Sequence, residues 1–293
     1  MKTLHHKAMI FYRAGHNMVE DYGMEMAGYL AFLQLLALFP YLVLMVSAAG
    51  LIGQGETGRQ LIDTLLQNLP SDVVDALRPR IEEIISGPPH SLLTFSILGA
   101  IWTSSSAIEA VRGMLNRAYR VHQPPAYFKR RLTSIGQIIL LTLMILVAML
   151  LFVFTPIAIK SFAHFTGLAL PIKLDHFFAS YFDAIAALVA FAIVAVFYHV
   201  LPNIKQSWRA VVPGSLVVVA LWGLAAASIG FYLNHITNVT LIYGSLSGLI
   251  GTLIAFYIMN AIFIYGAELN HELLVATGYR IVEKEVPAGQ TVH

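Results

Sequence analysis

The chain has no cysteine among its 293 residues. That excludes a disulfide framework, thiolate chemistry and any cysteine-based metal site, and it leaves the redox compartment open. Charge is scarce as well. Asp, Glu, Lys and Arg make up 12% of the residues, about half of what a soluble domain carries. The net charge is only +2, too small to argue for a nucleic-acid partner. There is no phosphate loop, no nucleophile elbow and no paired-carboxylate signature. Nothing in the sequence argues for catalysis, for a cofactor or for direct use of a nucleotide. The N-terminus also lacks the charged, apolar and cleavable pattern of a signal peptide, so the first span is expected to be retained.

What is plentiful is apolar. Hydrophobic residues are 58% of the chain and the mean hydropathy is +0.72. These values predict an all-α, polytopic membrane protein. Six runs near 27–52, 92–111, 133–159, 183–201, 210–233 and 244–265 are each about 20 residues or longer, enough to cross a hydrocarbon core. Before them, residues 1–26 read as an interfacial segment, with Met9, Ile10, Tyr12, Met18, Val19 and Tyr22 as its apolar positions. The six-helix transmembrane domain covers 27–270. The tail, 271–293, is polar and is expected to fray. Between the first two spans, the outer loop 53–89 carries Leu61, Leu65, Leu66 and Leu69, then Val73, Leu77, Ile81, Ile84 and Ile85. This spacing predicts two short amphipathic helices broken at Pro70.

Orientation follows from where the cations fall. With both termini on one side, that side holds thirteen of the eighteen Lys and Arg residues. The positive-inside bias then puts both termini in the cytoplasm.

The most informative stretch runs from Trp102 to Arg131. Ser105, Glu109, Arg112 and Asn116 share one helix face, because steps of three and four stack. Ser104 adds a neighbouring hydroxyl. An ionisable residue in or beside a span is expensive and normally faces the bundle interior with a partner. Ser104, Ser105, Glu109, Arg112 and Asn116 are therefore the candidates for lining a substrate path; an interfacial anchor made by Glu109 with Arg112 or Arg117 is the plainer alternative. The stretch then turns basic, with Arg117, Arg120, Lys129, Arg130 and Arg131 and no acidic residue. These five are the candidates for anionic lipid headgroups. Tyr119, Tyr127 and Phe128 interleave with them as an interfacial aromatic belt does.

Smaller signals follow. Leu201-Pro202-Asn203 reads as a tight corner between two spans. Gly244, Gly248 and Gly251 share a face suited to close helix contact. Asn260 lies deep in the last span and needs a partner there. Glu268, His271 and Glu272 are spaced to ligate a metal on one helix face, but nothing else completes such a site, and a solvated helix end accounts for the spacing better.

Several of these segments occur together in one order: Phe39-Pro40, Asn116-Arg117-Ala118-Tyr119, Leu201-Pro202-Asn203, Trp208-Arg209 to Pro213-Gly214, Tyr243-Gly244-Ser245, and Gly266-Ala267-Glu268-Leu269-Asn270. In this the chain resembles the YihY/BrkB family of bacterial inner-membrane proteins over about 27–272. The resemblance implies six spans, a bacterial inner membrane and both termini inside. It also carries an old ribonuclease BN label, whose metal chemistry would need clustered His and Asp ligands that this sequence does not display. Other members are associated with virulence, serum resistance and lipopolysaccharide export, which points to the envelope. The resulting expectation is a non-catalytic membrane protein that moves, or helps move, a lipid or other amphipathic envelope molecule. The alternative is a scaffold that binds envelope proteins and transports nothing. The expected partners are membrane lipids with anionic headgroups and an envelope protein, without nucleic acid; the sequence does not fix an oligomeric state.

Overall fold

The computed structural model describes residues 2–52, 90–121, 127–166, 174–235, 247–278 and 282–284. These residues form seven helices and two very short strands. In chain order they are α1 (Lys2–Glu20), α2 (Gly23–Ile52), α3 (His90–Ala118), α4 (Tyr127–Thr166), α5 (Leu174–Val200), β1 (Ile204–Lys205), α6 (Trp208–His235), α7 (Ser247–Ala276) and β2 (Val282–Glu283). The outer loop 53–89, with its two expected amphipathic helices, lies outside the described residues.

Four segments are long and apolar enough to cross a membrane: Gly23–Leu42, Tyr127–Ala148, Trp208–Ser228 and Gly248–Ala276. A shorter apolar helical segment is Ala184–Val200. α3 is more polar than α2, α4, α5, α6 and α7, and it is not among the four. Such helices stay helical in lipid because every backbone group is satisfied within the segment. Proline does not end two of them: α2 continues past Pro40 and α6 past Pro213. α6 opens at Trp208, two residues earlier than hydropathy suggests, so Pro213 stands in its second turn.

The chain divides into two compact units. The first comprises Met1–Leu36, Ala107–Leu132 and Ala190–His293. Its backbone is the pairing of α6 with α7, with α1 laid along α7. α6 and α7 approach closely because both carry glycine at the crossing. A Cβ on Gly214 would sit on the Gly266 carbonyl and 2.6 Å from the Asn270 side chain; one on Gly266 would strike Val218 and the Tyr198 hydroxyl. Small residues at crossings are how membrane helices gain packing contacts without a hydrophobic driving force. The glycine face read from the sequence lies elsewhere. Among the described residues, nothing stands within 4 Å of a Cβ built on Gly248 or Gly251. Hydropathy and spacing mark glycine pairs within one helix, whereas the close approach here pairs one glycine from each of two helices.

α1 docks through Ile10, Ala14 and Met18, which are buried at a spacing of four; Ile10 and Ala14 cluster with Leu269 of α7. The second unit comprises Ala37–Ser106 and Thr133–Val189. Its described buried side chains include Ala37, Ala100, Ile138 and Leu146, and the Thr142 hydroxyl donates to the Ile138 carbonyl at 2.7 Å.

Deep in the first unit, Asn260 of α7 has the partner its position requires. Gln34 Nε2 donates to Asn260 Oδ1 at 3.1 Å, and Asn260 Nδ2 returns a bond to Gln34 Oε1 at 2.8 Å. The two amides satisfy one another between α2 and α7.

The described residues of the tail, 271–278 and 282–284, are ordered where fraying was expected. α7 runs on to Ala276, the chain turns at Gly278 in the left-handed region (φ 71°), and β2 pairs antiparallel with β1. The Lys284 N–H donates to the Asn203 carbonyl at 3.0 Å. Its ammonium lies 3.0 Å from the Pro202 carbonyl and 3.3 and 3.4 Å from those of His199 and Val200. A cation there meets the negative end of the α5 dipole. Burial and the nearby Arg112 charge lower its pKa below that of an ordinary lysine.

Candidate functional site

The C-terminal end of α3 organises the first unit. α3 closes in a Schellman motif: Val121 N–H bonds to the Asn116 carbonyl at 2.8 Å and Arg120 N–H to that of Arg117 at 3.0 Å. The left-handed position is filled by Arg120 (φ 58°), not by glycine. A non-glycine residue there costs roughly 1–2 kcal/mol. The contacts of its side chain offset that cost. Arg120 Nη2 lies 2.6 Å from Asp21 Oδ2, and Nη1 lies 3.1 Å from Glu268 Oε1. Nη1 also folds back onto the Arg117 and Ala118 carbonyls at 3.1 and 3.0 Å. One guanidinium thus ties together the end of α3, the α1–α2 junction and α7. That junction is itself strained, with Tyr22 at φ 58°. Arg117 stacks over the Tyr22 ring, 5.3 Å from its centroid.

Glu268 is 1% exposed, so its spacing with His271 and Glu272 marks neither a solvated end nor a shared ligand face. Glu268 pairs with Arg120, Glu272 accepts from Asn17 Nδ2 at 2.7 Å, and His271 meets the Tyr119 ring edge-on at 6.4 Å between centroids. Tyr119 is fully buried, and burial pushes its hydroxyl pKa above the ordinary tyrosine range. Asn270 accepts from the Gly214 N–H at 2.7 Å and donates to the Val211 carbonyl at 3.3 Å. None of these α7 roles was legible in the sequence. The signal was an Asn, a Glu and a His in otherwise apolar surroundings, each of which must find a partner when buried.

The candidate path residues are distributed as follows. Ser104 and Ser105 belong to the second unit and are buried. The Ser105 hydroxyl donates to the Trp102 carbonyl of its own helix at 2.9 Å. Glu109, Arg112 and Asn116 belong to the first unit. Arg112 is 5% exposed and its Nε lies 3.6 Å from Glu109 Oε2; Arg130 Nη1 reaches Glu109 Oε1 at 3.3 Å. Asn116 Oδ1 accepts from the Asn203 N–H at 2.8 Å, fixing the corner 201–203 against α3. Of the predicted polar face, Ser105, Arg112 and Asn116 are buried and Glu109 is half-buried.

The candidate headgroup residues separate into two groups. Arg117 and Lys129 are exposed. Arg120 is held by two carboxylates, Arg130 by Glu109, and Arg131 is buried. Tyr127, Phe128 and Leu132 are exposed beside Lys129, as an interfacial belt would be. Among the described residues, no three His, Asp or Glu side chains are grouped to hold a metal ion.

A family model described as virulence factor BrkB matches residues 14–288. The ribonuclease-like protein YfkH of Bacillus subtilis (strain 168) is 29% identical over 252 residues, which is 85% of this chain and 89% of that protein. A UPF0761 membrane protein of Alkalilimnicola ehrlichii is 26% identical over 257 residues, 86% of this chain. The match spans 55% of that relative's length. No solved structure matches.

Proposed function

The chain belongs to the virulence factor BrkB family, and from that premise we propose that it is a multi-pass inner-membrane protein that moves, or helps move, a lipid or other amphipathic envelope molecule. The reading has six spans and both termini in the cytoplasm. One observation carries it: on the charged face of α3, Arg112 is buried and shares the half-buried Glu109 with Arg130. A buried charge within a membrane bundle is costly and tends to mark a substrate route or its partner. Glu109, Arg112 and Asn116 are assigned to the headgroup route, with Ser104 and Ser105 preceding them on the same helix. Arg117 and Lys129, exposed among aromatic residues, are assigned to anionic headgroups at the cytoplasmic surface. The role is non-catalytic; the ribonuclease-like name of the Bacillus protein is said of that protein and is not carried to this chain.

The test is lipid translocation. Purified protein is reconstituted with fluorescent lipids, and the fraction open to an external quencher is followed over time. Exchange faster than in empty liposomes is expected, and loss of most of that excess in a Glu109→Gln, Arg112→Ala variant. Excess exchange that the variant keeps would remove these residues from the route.

A second reading is favoured by a different observation. Arg120, Arg130, Asp21 and Glu268 are committed to ion pairs that brace helices, as suits a rigid scaffold for an envelope protein. Exchange no faster than in empty liposomes, together with a partner protein recovered by crosslinking, would favour it.

A further inference from the structure

α1 lies across α7 with its two edges at different heights. The α7 span, Gly248–Ala276, is 29 residues long. It rises about 43 Å, which outruns a hydrocarbon core of about 30 Å. α2 shows which end projects. A Cβ on Gly23, where the α2 span begins, would lie 3.1 Å from Ile264, and one on Gly28 would lie 3.9 Å from Tyr257. α2 thus enters lipid beside Ile264 and descends toward lower α7 numbers, which leaves Glu272 on the aqueous side of that level. The lower edge of α1 meets α7 at the level of entry. A Cβ on Gly15 would lie 3.9 Å from the Tyr265 ring, and the Tyr265 hydroxyl donates to the Phe11 carbonyl at 3.4 Å. The upper edge meets α7 on the aqueous side, where Asn17 Nδ2 donates to Glu272 Oε1 at 2.7 Å. Between the edges, Ile10 and Ala14 cluster with Leu269.

We infer that the lower edge of α1, formed by Phe11, Tyr12 and Val19, is a contact surface for the lipid leaflet from which α2 starts. Residues four apart stack on a helix, so Phe11, Gly15 and Val19 form one row, with Tyr12 beside Val19. This row runs along the edge that faces Tyr265. The three large side chains are exposed, at 46%, 68% and 66%. The opposite edge, on the Glu272 side, carries Arg13, Asn17 and Glu20, and Glu20 lies 3.5 Å from His16 in an exposed pair. Apolar side chains toward the bilayer and ionised ones away from it are the arrangement of a helix seated at the headgroup boundary, a depth to which tyrosine is suited. Continuity favours the same occupant: exposed apolar side chains continue from α1 through Tyr22 to Tyr29, Phe32 and Leu36 of the α2 span. The apolar positions of the segment therefore divide by task. Ile10 and Met18 are buried in the protein, while Tyr12 and Val19 are left for lipid. The surface rests on membrane residence and on none of the path residues, so it goes beyond the translocation reading.

The test uses the absence of cysteine. Tyr12→Cys, Val19→Cys, Arg13→Cys and Glu20→Cys are made singly in the full chain, spin-labelled and reconstituted in vesicles of phosphatidylethanolamine and phosphatidylglycerol. All four positions are exposed, so labelling leaves the buried row of Ile10, Ala14 and Met18 in place. Power-saturation spectroscopy reads each label's collisions with oxygen, which concentrates in lipid, and with a water-soluble nickel chelate. At Tyr12 and Val19, oxygen collisions should exceed chelate collisions severalfold; at Arg13 and Glu20 the order should reverse. One reagent dominating at all four sites would overturn the inference, since α1 would then lie wholly in water or wholly in lipid. Labels at Tyr12 and Val19 that are shielded from both reagents and broadened by a neighbouring label would give the face to a second copy and overturn it equally. The readout does not depend on lipid movement, so its failure leaves the translocation reading standing, and a failed translocation assay leaves this surface standing.

Discussion

Gln34 and Asn260 illustrate what a single polar residue must do inside a membrane bundle. Each amide has two donors and an acceptor, and neither can turn to water. Their reciprocal bonds at 2.8 and 3.1 Å are worth about 1 kcal/mol by analogy with other membrane-embedded pairs. A double-mutant cycle of Gln34→Leu and Asn260→Leu, read by unfolding in detergent, should show a coupling near that value. Additive effects would mean that the amides find other partners. Gly266 is constrained by space instead. Its replacement by Ala would drive a methyl into Val218 and Tyr198, and overpacking of this kind costs about 1–3 kcal/mol. Gly266→Ala should therefore lower the melting temperature, whereas Gly251→Ala, open among the described residues, should not. Arg120 combines both kinds of constraint. Its left-handed backbone is held by the carboxylates it pairs, and Arg120→Ala would leave Glu268 buried without its cation, at a cost of order 3 kcal/mol that a lowered melting temperature would show.

Among the elements, α1 and β2 are the ones whose roles exceed their local sequence signals. α1 is amphipathic by spacing, and among its described side chains the buried stripe is Ile10, Ala14 and Met18, while Tyr12 and Val19, and Tyr22 just beyond the helix, remain exposed. The stripe meets α7, a helix more than 200 residues away in sequence. β2 is two residues long and has no strand signal. It is held because Lys284 meets the carbonyls that α5 cannot satisfy internally. Lys284→Ala removes a dipole contact worth about 0.3–1 kcal/mol. The Lys284 amide, bonded to Asn203, should then exchange its hydrogen a few times faster in the variant. Exchange at the wild-type rate would show that β2 is held by its ladder alone.

For the whole molecule, the absence of cysteine makes topology directly testable. Single cysteines at Ser207, Thr277 and Asn238, each introduced alone, can be labelled in intact cells with a membrane-impermeant maleimide. The proposed orientation expects Asn238→Cys to react from outside and the other two only after permeabilisation. The reverse pattern would invert the protein, and a mixed one would refute six spans. The charges that set this expectation also show how far sequence reasoning reaches. Membrane residence and helical class follow from composition and from the 3.6-residue period, because lipid penalises every unpaired polar group the same way wherever it occurs. Asn260 announced its need for a partner on the same ground. The identity of the partner did not follow: Gln34, like Asp21 for Arg120 and Asn17 for Glu272, comes from a distant segment, and periodicity carries no information about which helices meet. The Gly214–Gly266 crossing, the burial of Glu268 and the anchoring of the tail by Lys284 were decided by the tertiary structure alone. Each depends on two chain segments arriving at one place, and only the packed bundle brings them there.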